Sequence, residues 1–487
     1  MRKLILPLFV GNSIHIAAGL ESALSLRKDF TSLELQLLAS KTHYPSRMSR
    51  TLDSPTYKSN KFFTELGLEN YFKKVTFVNT LYYDEVAFSN AFAFLNDKLQ
   101  NISNVSDLSL IEYNNVNLGG VLANAYAFES TIDTDKGLDI KLLRHLLRSY
   151  LEVYFHAHKV LTDSTGALLV YNGRFIHERA FVDAARLYSS ELWVYETTQN
   201  RYHLRNEGFH DRKRNQIFMI NHWERSTHEI RERMKIASEY FQVLKSPRNR
   251  FFTSDEGGAQ FSFMKFPYIV YYSNSDDEAI GFWESWKTPL GSQIEVVKQL
   301  IDICSELKIH LVIRLHPNLN NKAEEIQAMW RAIPSSKSCT IIDPSSNVSS
   351  YTLLENSVGV LSFGSTIGLE AAYYKKPSAV LADCLYDELG AVDKIVNFED
   401  LKAWITNVAS YNLAAQAEER RTAACIRGYW QRTGGNPFIF TVTEELGEGA
   451  FRATRMFERS MRAFNQRVSF PILFNYIKRI RYGLKLR

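Results

Sequence analysis

From Tyr268 to Ala382 the chain repeats one pattern: short apolar runs alternate with longer amphipathic ones. "YIVYYSNS", "HLVIRL", "CTIIDP", "VGVLSFG" and "PSAVLA" are rich in β-branched, aromatic and leucine residues. Between them stand "GSQIEVVKQLIDICSELK", "KAEEIQAMWRAI", "SYTLLENS" and "TIGLEAAYYK", with helical spacing. Apolar runs without polar alternation read as strands covered on both faces, and parallel strands require a crossover, usually a helix. The pattern therefore predicts a doubly wound, Rossmann-like α/β domain. No G-x-G-x-x-G follows any of these strands, so a dinucleotide site is not indicated.

The first half carries the same alternation less regularly. "KLILPLFV" reads as a strand, Gly11 to Gly19 as a polar loop and "LESALSLRK" as a helix. A second unit runs through "SLIEYNNV" and "VLANAYAF" to a long helix from Leu138 to Lys159. "ALLVYNGRF", "IHERAFVDAARLYSS" and "ELWVYE" then give strand, helix and strand, and 221–246 is helical. The expected organisation is α/β: a Rossmann-like domain over 1–250, a linker over 251–266, a second Rossmann-like domain over 267–430, and a helical, basic segment over 431–487.

Two such domains suit a chain of 487 residues, which is long for a single core. Its 45% hydrophobic and 23% charged content is globular, and a net charge of +5 is too mild to argue for nucleic acid. The charge is concentrated at one end. Residues 451–487 hold ten Lys or Arg and a single acid, Glu458, interleaved with aromatic and aliphatic residues. That composition suits a segment lying on anionic lipid, or equally a helix with its basic face in water.

The four cysteines are widely spaced and form no CxxC pair, so neither a disulfide framework nor a zinc site is indicated, and a reducing cytoplasm fits. The opening "MRKLILPLFVGNS" reads as a first strand rather than a signal peptide, because its apolar run breaks at Gly11-Asn12-Ser13. No stretch approaches the roughly 20 apolar residues that span a bilayer.

Polar residues gather where strands end, and ligands in open α/β sheets bind beyond the carboxyl ends of strands. "LVIRLHPNL" delivers Arg314, His316, Pro317 and Asn318 to one such end; Pro317 biases His316 to extended backbone. "VLSFGSTIGLEAAYYKKP" places Ser362, Gly364, Ser365 and Thr366 between a strand and a helix, with Glu370 one turn further on. Backbone N–H groups and hydroxyls there suit a phosphate. The bland alternatives are a capping histidine and an ordinary N-cap.

An R-x-HP strand end followed by an S-x-x-ST-x-G-x-EA-x-x-x-x-KP loop and helix resembles the C-terminal domain of bacterial capsule and surface-polysaccharide glycosyltransferases of GT-B fold. The Kdo transferases belong to that group. The resemblance covers about 268–390. It implies two Rossmann-like domains facing a cleft and a nucleotide-sugar donor, CMP-Kdo above all, with UDP- or GDP-sugars open. His316 and Pro317 would face the cytidine or phosphate, and Ser362, Ser365 and Thr366 the phosphate. The implied acceptor is a lipid-linked or growing polysaccharide. The implied location is the bacterial cytoplasm, on the inner face of the cytoplasmic membrane. No metal and no further cofactor are expected, since no D-x-D follows a strand convincingly.

For catalysis, Asp276, Asp277 and Glu278 follow the first strand of the second domain, and Glu196 ends "ELWVYE". Any of them could act as base or nucleophile. The alternative for the acidic trio is a solvated turn. Asn172 and Arg174 end the preceding strand and, with His15, could hold the acceptor or a sugar carboxylate, which a guanidinium fork suits. Arg174 and Glu196 could instead form a structural ion pair. Two other functions share the architecture: a UDP-sugar 2-epimerase and a non-catalytic assembly scaffold.

Overall fold

The computed structural model describes residues 3–9, 13–26, 34–40, 42–44, 61–103, 106–129, 139–162, 166–188, 190–198, 200–206, 211–246, 267–274, 287–321, 324–333, 335–336, 338–410, 416–447, 450–456 and 459–460. They divide into two compact units. Unit 1 comprises 1–129, 137–209 and 435–487; unit 2 comprises 130–136 and 210–434.

Unit 1 is built on β1 (Lys3–Pro7), β2 (Glu34–Leu38), β3 (Lys74–Val78), β4 (Ala167–Tyr171), β5 (Glu191–Thr198), β6 (Arg201–Arg205) and β13 (Asn436–Pro437). Their order is β13-β6-β5-β4-β1-β2-β3. β5 through β3 are parallel, and β6 and β13 extend the sheet antiparallel. The helices are α1 (Ser13–Leu26), α2 (Lys61–Glu65), α3 (Glu85–Gln100), α4 (Leu118–Glu129), α5 (Ile140–Thr162) and α6 (Ile176–Leu187). In α5, Leu143, Leu146, Leu147, Tyr150, Leu151 and Tyr154 recur at helical spacing and all are buried. β14 (Thr441–Gly447), β15 (Ala450–Met456) and β16 (Arg459–Ser460) form a separate antiparallel sheet. Buried Glu21 of α1 secures the approach to it by accepting the N–H groups of Ile439 and Phe440 at 3.2 and 2.7 Å.

Unit 2 opens with α7 (Arg212–Glu224) and α8 (Ile230–Leu244). Then come β7 (Tyr268–Tyr272), α9 (Gln293–Glu306), β8 (His310–Arg314), α10 (Glu324–Arg331), β9 (Cys339–Ile342), α11 (Ser350–Asn356), β10 (Gly359–Ser362), α12 (Ile367–Tyr373), β11 (Ser378–Val380), β12 (Asp393–Lys394), α13 (Phe398–Ala409) and α14 (Ala417–Thr433). The sheet order is β12-β11-β10-β7-β8-β9, and every pairing is parallel. All five residues of β7 and all five of β8 are buried, as helices on both faces require. Ser292 and Glu295 start α9 with a reciprocal capping box.

Both units are thus Rossmann-like α/β folds, as the alternation predicts. In each, the chain winds outward from a central pair and then returns to the other side. The reversal lies between β1 and β4 in unit 1 and between β7 and β10 in unit 2. It opens a crevice at the carboxyl ends of those strands.

Several expectations are corrected. The first helix begins at Ser13, not after Gly19, since Ile14, Ile16, Ala17 and Ala18 are core residues. "SLIEYNNV" is a 3₁₀ turn and a tight bend through Asn114 and Asn115, both at positive φ, rather than a strand; β2 and β3 fill that place in the sheet. Unit 2 begins at His210 instead of 267, because α7 and α8 bury Met219, Trp223, Ala237 and Phe241 against Tyr373, Cys425 and Tyr429. The chain returns to unit 1 at Gly435, and its described part from Thr441 to Ser460 is strand rather than helix. The linker 251–266 and the basic stretch 461–487 lie outside the described residues.

Candidate functional site

In unit 2, hydrogen bonds stitch together the carboxyl ends of β10, β7 and β8. Just past β7, the Ser273 N–H donates to the Arg314 carbonyl (3.1 Å), and the Ser273 hydroxyl accepts the His316 N–H (2.8 Å). Asn274 reaches across the strand-order reversal, its Nδ2 donating to the Phe363 carbonyl at 3.3 Å. Gln293, at the start of α9, holds Asn274 from both sides: Oε1 accepts its N–H (2.9 Å) and Nε2 donates to its carbonyl (3.1 Å). Pro317 then begins a one-turn 3₁₀ helix, Pro317–Asn321, and the Asn318 N–H donates to His316 Nδ1 at 3.1 Å. That bond fixes the neutral tautomer whose proton is on Nε2.

Across the crevice, Gly364 stands at φ +91, and a Cβ there would lie 3.1 Å from the Cys384 Cβ. Only glycine reaches this conformation without strain. Ser365 follows half-buried, its carbonyl accepting the Gly368 N–H and the Tyr386 hydroxyl, and Thr366 is exposed. His316, Pro317, Asn318, Gly364, Ser365 and Thr366 are therefore strand-end residues, as expected from the sequence.

The other three unit 2 residues have different work. Arg314 is buried and donates to the carbonyls of Asp343 and Ser346 at 2.5 and 3.0 Å, bracing the turn after β9. Ser362 is buried beneath α12, where a Cβ on Gly368 would come within 2.7 Å of its hydroxyl. Glu370 turns into the core and accepts the Tyr351 hydroxyl; burial pushes its carboxyl up to about 7. Asp276, Asp277 and Glu278 lie outside the described residues.

Unit 1 gathers a second cluster at its own strand-order reversal. His15, in the first turn of α1, stacks on the Tyr171 ring at 4.4 Å, with Nε2 3.2 Å from the Tyr171 hydroxyl. Burial lowers the imidazole to about 4, so it is neutral at pH 7. Asn172, at φ +54, donates through Nδ2 to Glu196 Oε2, and the Thr197 N–H donates to Oε1 at 3.1 Å. Burial raises the Glu196 carboxyl, while Asn172, Tyr171, Thr197 and the Arg174 charge act to lower it. The Arg174 guanidinium lies over the Phe175 ring at 5.0 Å, and among the described residues no ion pair joins it to Glu196.

Sequence reasoning passed over Ser273, Asn274, Gln293, Tyr171 and Glu178. The polar pair after "YIVYY" was a usable signal for Ser273 and Asn274. Glu178 gives none by spacing. It lies in the first turn of α6, fully buried, with neither oxygen partnered, and burial pushes it up to about 8. Among the described residues no group of His, Cys, Asp or Glu is arranged to hold a metal, and no helix is long and apolar enough to cross a membrane.

No family model and no curated protein matches the chain. Solved structures do. It is similar to KpsC β-Kdo 2,4 transferase of Thermosulfurimonas dismutans at 13% identity, over 50% of this chain and 79% of that one, with a TM-score of 0.33. KpsC β-Kdo 2,7 transferase of the same organism matches at 13% over 65% and 89%, TM-score 0.34. The UDP-GlcNAc 2-epimerase of Neisseria meningitidis bound to UDP-GlcNAc matches at 13% over 90% and 97%, TM-score 0.26.

Proposed function

We propose that the protein is a GT-B glycosyltransferase that transfers Kdo from CMP-Kdo to a lipid-linked or growing bacterial surface polysaccharide, without a metal ion. The observation that carries this reading is the crevice between the ends of β7 and β10. There His316 is oriented with its donor nitrogen set, and Gly364, at φ +91 and packed against Cys384, turns the chain from β10 toward α12. A phosphate fits that chemistry: Nε2–H donates to an anionic oxygen.

In this reading unit 2 takes the nucleotide. Glu196, held by Asn172 and Thr197, removes the acceptor hydroxyl proton as the sugar–phosphate bond breaks and CMP leaves. A carboxylate whose affinity for protons is raised by burial is the better base for that step. Arg174 and His15 serve as acceptor-side contacts. Work at the cytoplasmic face of the inner membrane, through the basic residues of 461–487, belongs to the same proposal.

The test is calorimetry of the full chain against CMP, UDP, GDP and CDP, with and without EDTA and repeated on His316→Ala. Selective CMP binding that is insensitive to EDTA and weakened in the variant supports the assignment. Preference for UDP points to the epimerase chemistry instead, and binding of none of the four overturns the nucleotide reading.

A further inference from the structure

Three buried hydroxyls meet under the turn that follows β10. Ser362 ends that strand, Ser378 opens β11 and Tyr386 lies just beyond β11. Their oxygens converge on Gly368, the second residue of α12. A Cβ there would lie 2.7 Å from the Ser362 and Tyr386 hydroxyls and 3.4 Å from that of Ser378. Glycine at this position is what lets the helix rest so close to them.

The Tyr386 hydroxyl reaches the turn itself. It donates to the Ser365 carbonyl, which also accepts the Gly368 N–H at 3.1 Å, so both lone pairs of that oxygen are used. The ring packs in one core cluster with Leu369, Ala372 and Cys384, which sets the direction of its hydroxyl. Cys384 in turn backs Gly364, so the single segment 384–386 supports the chain from Gly364 to Ser365. A phenylalanine would fill the same core volume, and packing alone therefore does not call for the hydroxyl. Its consequence lies in the peptide above. The Ser365 carbonyl and the Thr366 N–H belong to one planar trans peptide and point in opposite directions. Holding the carbonyl down on buried Tyr386 turns the N–H to the outer side of the turn, where Thr366 is exposed and no described residue accepts it.

We propose that Tyr386 is a positioning residue of the nucleotide site: its hydroxyl holds the Ser365–Thr366 peptide so that the Thr366 N–H stands ready as a donor to the phosphate. The inference rests on the nucleotide reading of this crevice. Tyr386 itself does not touch the ligand. An N–H already aimed gives up no freedom when an anionic oxygen arrives, so the charge-assisted bond keeps its full worth.

The test is calorimetry of the full chain with CMP and with cytidine, which lacks the phosphate, on the wild type, Tyr386→Phe and Tyr268→Phe. Tyr268 supplies the control. It too is buried and donates its hydroxyl to a carbonyl, that of Leu353 at 2.9 Å, but it opens β7 at the end away from the crevice. Urea unfolding of the three proteins measures what each lost hydroxyl costs the fold. CMP binding weakened about tenfold in Tyr386→Phe, with cytidine unaffected there and CMP unaffected in Tyr268→Phe, supports the positioning role. If cytidine alone is too weak to titrate, the comparison with Tyr268→Phe decides. CMP affinity that is unaltered in Tyr386→Phe, falls together with that of cytidine, or falls equally in Tyr268→Phe overturns the role and leaves the nucleotide reading standing. Failure of CMP to bind the wild type removes both.

Discussion

The backbone N–H of Asn318 donates to His316 Nδ1 at 3.1 Å, so the histidine at the end of β8 offers Nε2–H as a donor. Pro317 between them holds the turn that makes this bond, which is why the imidazole has a set direction before any ligand arrives. His316→Ala is expected to weaken CMP about tenfold or more, the worth of one hydrogen bond to a charged acceptor. Isothermal titration reads it directly. An unchanged affinity would move the nucleotide away from β8.

Gly364 and Gly390 both have positive φ, +91 and +80, but their surroundings differ. A Cβ meets Cys384 at 3.1 Å in the first case and only Ala423 at 3.9 Å in the second. Both alanine variants should lose about 1 kcal/mol to backbone conformation. Gly364→Ala should lose more, because Cys384 is fully buried and has little room to give. Urea unfolding compares the two stabilities, and CMP titration should show weakened binding in Gly364→Ala alone. Equal losses in both measurements would remove the special role of the β10 loop.

His316 and Gly364 were legible because strand ends announce themselves: an apolar run stops and polar residues follow. The same rule says nothing about rotation. Ser362 is the last residue of β10 and points under α12, while Glu370 turns into the core within one turn of Thr366. One residue of strand or 100° of helix separates an outward-facing strand-end residue from a buried brace. The start of α1 was hidden for a different reason. Gly19 looks like loop in the sequence, yet it sits mid-helix because the Tyr195 hydroxyl would meet a Cβ at 2.7 Å. β3 was missed because its KVTFV is only partly buried, so it lacks the continuous burial that makes β7 and β8 plain.

Glu370 makes stability depend on pH. Burial raises its folded carboxyl to about 7 against an ordinary 4.5, so the folded state holds a proton that the unfolded state releases. The resulting stability is fully present below about pH 4.5 and is lost as pH rises through about 7, a change on the order of 3 kcal/mol. Glu370→Gln has no proton to lose and should flatten this part of the profile. Chemical denaturation of both proteins from pH 5 to 8 provides the comparison, and parallel profiles would show that Glu370 titrates normally.

Asn172 and Glu196 offer the test of the base. The Asn172 amide stabilises the charged form of Glu196, so its removal should raise that carboxyl further. Asn172→Gly keeps the left-handed backbone at φ +54 and deletes only the side chain. Since a general base works deprotonated, the acid limb of the pH–rate profile for the proposed Kdo transfer should move to higher pH in this variant. Glu196→Gln should lower turnover about a hundredfold or more while CMP affinity stays the same. A purely structural Glu196 predicts otherwise: CMP affinity and stability would fall with turnover, and the acid limb in Asn172→Gly would stay where it is in the wild type.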